Sequence, residues 1–88
     1  MKYVVVGEPS GMSREAIMQI YPRHKPVVDD LIARGLVIGI GPFDDFGNLA
    51  IFRTRDAAEE YLRRDPFILE GVVLHARVRE WRDGLLPE

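Results

Sequence analysis

The stretch Leu36–Thr54, LVIGIGPFDDFGNLAIFRT, sets two apolar runs on either side of a turn. Leu36 to Gly41 is continuously apolar and reads as a buried strand. Pro42 to Gly47 carries proline, two aspartates and glycine, the chemistry of a tight turn, with Asp44 and Asp45 shaping it. Asn48 to Thr54 reads as the returning strand, so the centre of the chain predicts a β-hairpin.

Outward from this hairpin the pattern changes period. Upstream, Val27, Val28, Leu31 and Ile32 form the apolar stripe of a helix that runs to Arg34 and stops at Gly35. Pro26 has no N–H to donate and so belongs in a first turn. That predicts a helix start no earlier than about Arg23, with His24 in its cap or first turn. Ser13 caps a separate short helical stretch, which must end near Tyr21 because the residue before Pro22 is pushed out of the α region. Tyr3 to Val6 reads as the first strand, closed by Gly7-Glu8-Pro9-Ser10-Gly11.

Downstream, Asp56-Ala57-Ala58-Glu59 has capping-box spacing and opens a helix to about Arg64. Asp65-Pro66 places an N-cap residue before proline at N1, the start of a short helical turn through about Leu69. Gly71 resets the chain, and Val72 to Trp81 reads as one long last strand. The tail 82–88 carries no clear element.

The order β-α-β-β-α-β is that of an α+β ferredoxin-like plait: a four-stranded antiparallel sheet with both helices on one face. A single domain spans 1–88, with its core at about 3–81. Several strands are apolar on both sides, as in Tyr3/Val5 with Val4/Val6 and Leu49/Ile51 with Ala50/Phe52. Two helices cover only one side, so the sequence predicts a homodimer that packs sheet against sheet.

Composition bounds the partners. A formal charge of −2, with arginines interleaved among acids, offers no basic stripe for nucleic acid. No apolar run approaches membrane-spanning length, and no signal-peptide core follows the N-terminus. The absence of cysteine removes thiolate catalysis and cysteine metal sites, and a cytoplasmic protein is expected. The two histidines and scattered carboxylates lack metal-ligand spacing, so neither a metal nor another cofactor is expected.

The residues with catalytic chemistry are few. His24 at a helix N-terminus would be held neutral by the dipole and able to act as a base. Asp65 is read either as a helix cap or as a carboxylate that orients an imidazole, two roles one side chain can combine. His75, mid-strand and without a spaced acid, reads as structural.

Arg23-His24, Gly41-Pro42-Phe43, Asn48 to Phe52, Ala57-Ala58-Glu59, Asp65-Pro66-Phe67 with Gly71, and a last strand closing at Trp81 together resemble the YciI-like (YCII-related) proteins. The resemblance runs from about Tyr3 to Trp81. It implies a dimeric α/β barrel of two ferredoxin-like protomers and a catalytic His–Asp dyad in a cleft, matched here by His24 and Asp65. One branch of that family eliminates chloride from a chlorinated hydroxyhydroquinone, and the fold is shared with muconolactone isomerases, which implies small ring substrates. Pro22 and Pro26 bracketing His24 depart from the family pattern.

The expected activity is therefore proton abstraction leading to elimination or isomerisation on a small cyclic substrate. His24 would be the base, Asp65 its partner, and Arg23, Pro42, Phe43 and Phe67 the substrate contacts. The alternative is a non-catalytic dimeric module that binds a small ligand in the same cleft.

Overall fold

The computed structural model describes residues 1–84. Strand β1 (Lys2–Pro9) leads into helix α1 (Arg14–Ala33) and then the hairpin of β2 (Val37–Pro42) and β3 (Asn48–Phe52). Helix α2 (Arg55–Arg64), the short helix α3 (Pro66–Leu69), and strands β4 (Val73–Leu74) and β5 (Val78–Trp81) follow. β1 pairs antiparallel with β3 on one edge, β3 pairs with β2, and both β4 and β5 pair with the other edge of β1. This is the α+β plait expected from the element order.

Three local readings are corrected. The two predicted helical stretches before Gly35 are one helix, with Pro22 and Pro26 inside it. Ser13 does cap it, accepting from Ala16 N at 3.2 Å. Its end is a Schellman turn: Gly35, at φ 73°, donates to Ile32 O and Leu36 donates to Leu31 O. The helix survives its prolines because Ile17, Val28 and Leu31 are buried along its length, so tertiary packing outweighs local propensity.

The second correction concerns the start of α2. Thr54, not Asp56, is the N-cap, accepting from Ala57 N at 3.1 Å. Asp56 falls in the first turn, where a negative charge suits the positive helix end. The third is the last strand. It breaks between β4 and β5, where His75 takes a left-handed φ of 61° and turns the chain out of extended geometry.

Strand pleating sorts the side chains. Val5 opposite Ala50 and Tyr3 opposite Phe52 face the helices. Val5, Ala50 and Phe52 join Val28 and Leu31 of α1 and Ala57, Ala58 and Tyr61 of α2 in the main core. A smaller cluster of Ile17, Val72 and Val73 packs beneath the first half of α1. The other sheet face carries Val4 opposite Ile51 and Val6 opposite Leu49, all half-buried, with Trp81 exposed beside them. No helix among the described residues is long and apolar enough to cross a membrane.

Candidate functional site

Continuity of α1 decides where the site lies. Arg14, Ile17, Met18, Tyr21 and His24 fall at helical spacing on one stripe, and all five line a single cavity of about 270 Å³. The β2–β3 hairpin contributes Ile40, Pro42, Phe46 and Asn48 from the facing side. Phe67 of α3, with Val72 and Val73 just after it, closes the third wall. An engineered cavity of about 150 Å³ holds benzene, so this one accommodates a ring with substituents.

His24 is held from two directions. Its Nδ1 lies 2.5 Å from Asp65 Oδ1, and its ring stacks on Phe67 with centroids 3.8 Å apart and planes 4° from parallel. Tyr21 flanks both rings at 5.9 and 6.4 Å. A carboxylate is an acceptor, so Nδ1 carries the proton of the neutral ring and Nε2 is left as the basic nitrogen. His24 sits in the interior of α1 rather than in its first turn, away from the positive end of the helix where the sequence places it.

Asp65 occupies the junction between two helices, ending α2 and capping α3 as its sequence predicts. Its backbone N–H donates to Tyr61 O at 2.9 Å, and its Oδ1 accepts from Phe67 N at 3.4 Å. The carboxylate is fully buried. Burying a charge is costly unless it is paired, and the His24 and Phe67 donors meet that need at Oδ1. Oδ2 is buried without a formed bond, as is the Tyr61 hydroxyl. Burial pushes the Tyr61 phenol up from its ordinary value, and the nearby charge of Asp65 pushes it further. Asn48 acts on the same phenol in the opposite sense.

Of the other residues expected at the site, Pro42 and Phe67 line the cavity, whereas Arg23 and Phe43 do not. Arg23 clasps both oxygens of Glu70 on the surface, with Nη2 to Oε1 at 2.8 Å. That pair ties α1 to the end of α3 and holds the Glu70 carboxyl below its ordinary value. In the hairpin turn, Phe46 takes a left-handed φ of 71° and donates its N–H to Phe43 O. Phe46, and not Phe43, reaches the cavity wall.

His75 lies away from the cavity, exposed and 3.7 Å from Glu8. Among the described residues no group of three His, Cys, Asp or Glu side chains is placed to hold a metal ion.

The residues that sequence reading passed over are Arg14, Met18, Tyr21, Phe46 and Asn48. The signal for those on α1 was present: the i, i+3, i+4, i+7 spacing from Arg14 through Tyr21 to His24 crosses Pro22 without a break in phase.

No protein-family model and no curated protein matches this chain. Among solved structures, 5-chloro-2-hydroxyhydroquinone dehydrochlorinase from Burkholderia phenoliruptrix AC1100, in complex with 2,5-dihydroxybenzoquinone, is similar in fold. The TM-score is 0.75 over 96% of each chain, at 19% sequence identity. At that identity the likeness speaks to the fold.

Proposed function

We propose that this protein is a YciI-like enzyme that uses His24 and Asp65 as an acid–base dyad on a small cyclic substrate. The observation that carries the reading is the 2.5 Å contact between His24 Nδ1 and a fully buried carboxylate, at the wall of a ring-sized cavity. Nε2 takes a proton from a carbon or hydroxyl next to the conjugated ring. Asp65 stabilises the imidazolium that results; in an isomerisation the proton is returned to another atom of the ring system as the double bond shifts, and in an elimination it passes to solvent as chloride departs. Phe67 and Tyr21 keep the imidazole in one plane, so the ring does not turn away from its substrate.

The substrate class follows from the lining and from the neighbour in fold. An apolar, aromatic wall favours a flat ring, and the similar dehydrochlorinase is seen with a dihydroxybenzoquinone. Hydroxylated or chlorinated quinols and unsaturated lactones are the compounds to offer. The working unit is a homodimer joined through the open sheet face.

The test is turnover of such a panel by wild type and by His24→Ala, with folding checked by circular dichroism. Wild type is expected to release chloride or isomerise at least one compound, and His24→Ala to lose about 10²–10⁴-fold in kcat. Full activity in His24→Ala removes the dyad from the mechanism. Binding weakened by His24→Ala, with no product from any compound, identifies a ligand-binding module instead.

A further inference from the structure

Among the described residues one arginine and no lysine lines the cavity, and that arginine stands at the far end from the imidazole. Arg14 opens α1 and lines the cavity, while Arg23 of that helix and Arg34 at its C-cap are already engaged. Arg23 is taken by Glu70, and Arg34 by Asp30 and Glu60. Arg14 has no carboxylate partner among the described residues. The wall between it and His24 is mostly apolar, made by Ile17, Met18 and the ring of Tyr21 on the same helix stripe, and the Tyr21 hydroxyl and Asn48 are further polar groups of the lining. A guanidinium on the wall of an apolar cavity, with no carboxylate partner among the described residues, is the arrangement that receives an anion.

We infer that Arg14 is a specificity residue that anchors a carboxylate on an arm of the substrate, and that the natural ligand is therefore an anionic ring compound rather than a neutral one. This rests on the cavity being the ligand site and names the class of molecule it takes. Geometry sets the shape of that molecule. Arg14 and His24 are about 15 Å apart along the helix axis by rise alone, so the anion does not sit on the reacting ring. The ring lies against His24 and Phe67, and a short flexible arm carries the carboxylate back towards the start of α1. The Arg23–Glu70 clasp leaves Arg23 no part in this, although its position next to His24 in sequence makes it the first arginine to consider.

A matched pair of probes tests this without knowledge of the substrate: 3-(4-hydroxyphenyl)propionate and its neutral amide, titrated calorimetrically into wild type, Arg14→Met and His24→Ala. Wild type is expected to bind the acid about tenfold more tightly than the amide, with the preference shrinking as salt is raised. Arg14→Met is expected to lose the preference while binding the amide as wild type does. The Arg14 side chain is exposed and makes no hydrogen bond or ion pair among the described residues, so this variant is expected to fold. His24→Ala is expected to weaken acid and amide alike, which ties both probes to the cavity. Equal binding of acid and amide by wild type, or a preference that survives in Arg14→Met, overturns the anchor and leaves the ring site standing. Failure of both probes to bind at millimolar concentration overturns the anchor and the ring site together.

Discussion

Asp65 meets three demands at one carboxylate: it caps α3, holds His24 in one tautomer, and carries its charge with no exposure to water. Two substitutions separate these. Asp65→Ala removes the cap and leaves the buried Nδ1–H of His24 without an acceptor. It is expected to destabilise the protein by about 2–4 kcal/mol in denaturant unfolding. Asp65→Asn keeps an oxygen that can cap Phe67 and accept from Nδ1, so stability is expected to stay within about 1 kcal/mol of wild type. It also removes the charge that stabilises an imidazolium, and kcat on any compound wild type converts is expected to fall by about 10²–10⁴-fold. Equal kcat for wild type and Asp65→Asn would assign the carboxylate to structure alone. At this scale the contact of His24 with Asp65 is foreseeable because a chain with two histidines offers few imidazoles to place. Arg14, one cation among many, has no local mark. Phe46 is hidden for another reason: its place on the wall depends on a left-handed backbone that its own residue type disfavours.

The helix that presents His24 contains two prolines, each of which deletes a donor and crowds the carbonyl four residues earlier, at Met18 and Pro22. Read locally, that predicts two helices. The chain makes one because α1 is held from outside itself, through buried Ile17, Val28 and Leu31 and through His24–Asp65, Arg23–Glu70 and Arg34–Glu60. Local rules thus locate both ends of α1, at Ser13 and Gly35, and misjudge its middle, where the deciding contacts come from distant residues. Pro26→Ala restores a donor to the helix interior and is expected to raise stability by about 1–3 kcal/mol, seen as a higher unfolding midpoint. The His24 site is expected to be unaffected, because Asp65 and Phe67 already fix the ring. A loss of activity in Pro26→Ala would show instead that the proline sets the angle of His24. The broken last strand has the same logic. Val73 packs so closely on Gly7 that a Cβ there would lie 2.6 Å from it and from Asn48 Oδ1. Gly7, which reads as a strand stop, is the close approach that seats two residues of the cavity wall.

Across the whole molecule the helices form one layer, cross-linked by a charge network in which Arg34 and Arg64 each bond both Asp30 and Glu60. Hydrogen bonds from Arg34 and then Arg64 hold the Glu60 carboxyl down at about 2, against an ordinary value of 4.5. A depressed carboxylate stabilises the fold above its unfolded pKa. Its contribution is lost as pH falls from about 4.5 towards 2, and Glu60→Gln is expected to flatten the stability curve over that window. Among the described residues no such layer covers the other side of the sheet. Val4, Val6, Leu49 and Ile51 form a contiguous apolar strip edged by Trp81, and Gly39 and Gly41 stand beside Ile51 and Leu49 on β2 with open space above them. This face was legible because strand alternation exposes both sides of a sheet to inspection, whereas helix continuity and turn conformation depend on contacts made at a distance. A second copy laid across the strip would bury it and meet flat backbone at the two glycines, which is the basis for a sheet-to-sheet homodimer. Ile51→Asp would set two carboxylates against each other in such an interface, while in a lone protomer it places one charge on a half-exposed surface. Sedimentation equilibrium is expected to give a dimer for wild type and a folded monomer for Ile51→Asp. A wild-type chain that sediments as a monomer at every concentration would refute the interface, and would leave that strip to be covered by something other than a second copy.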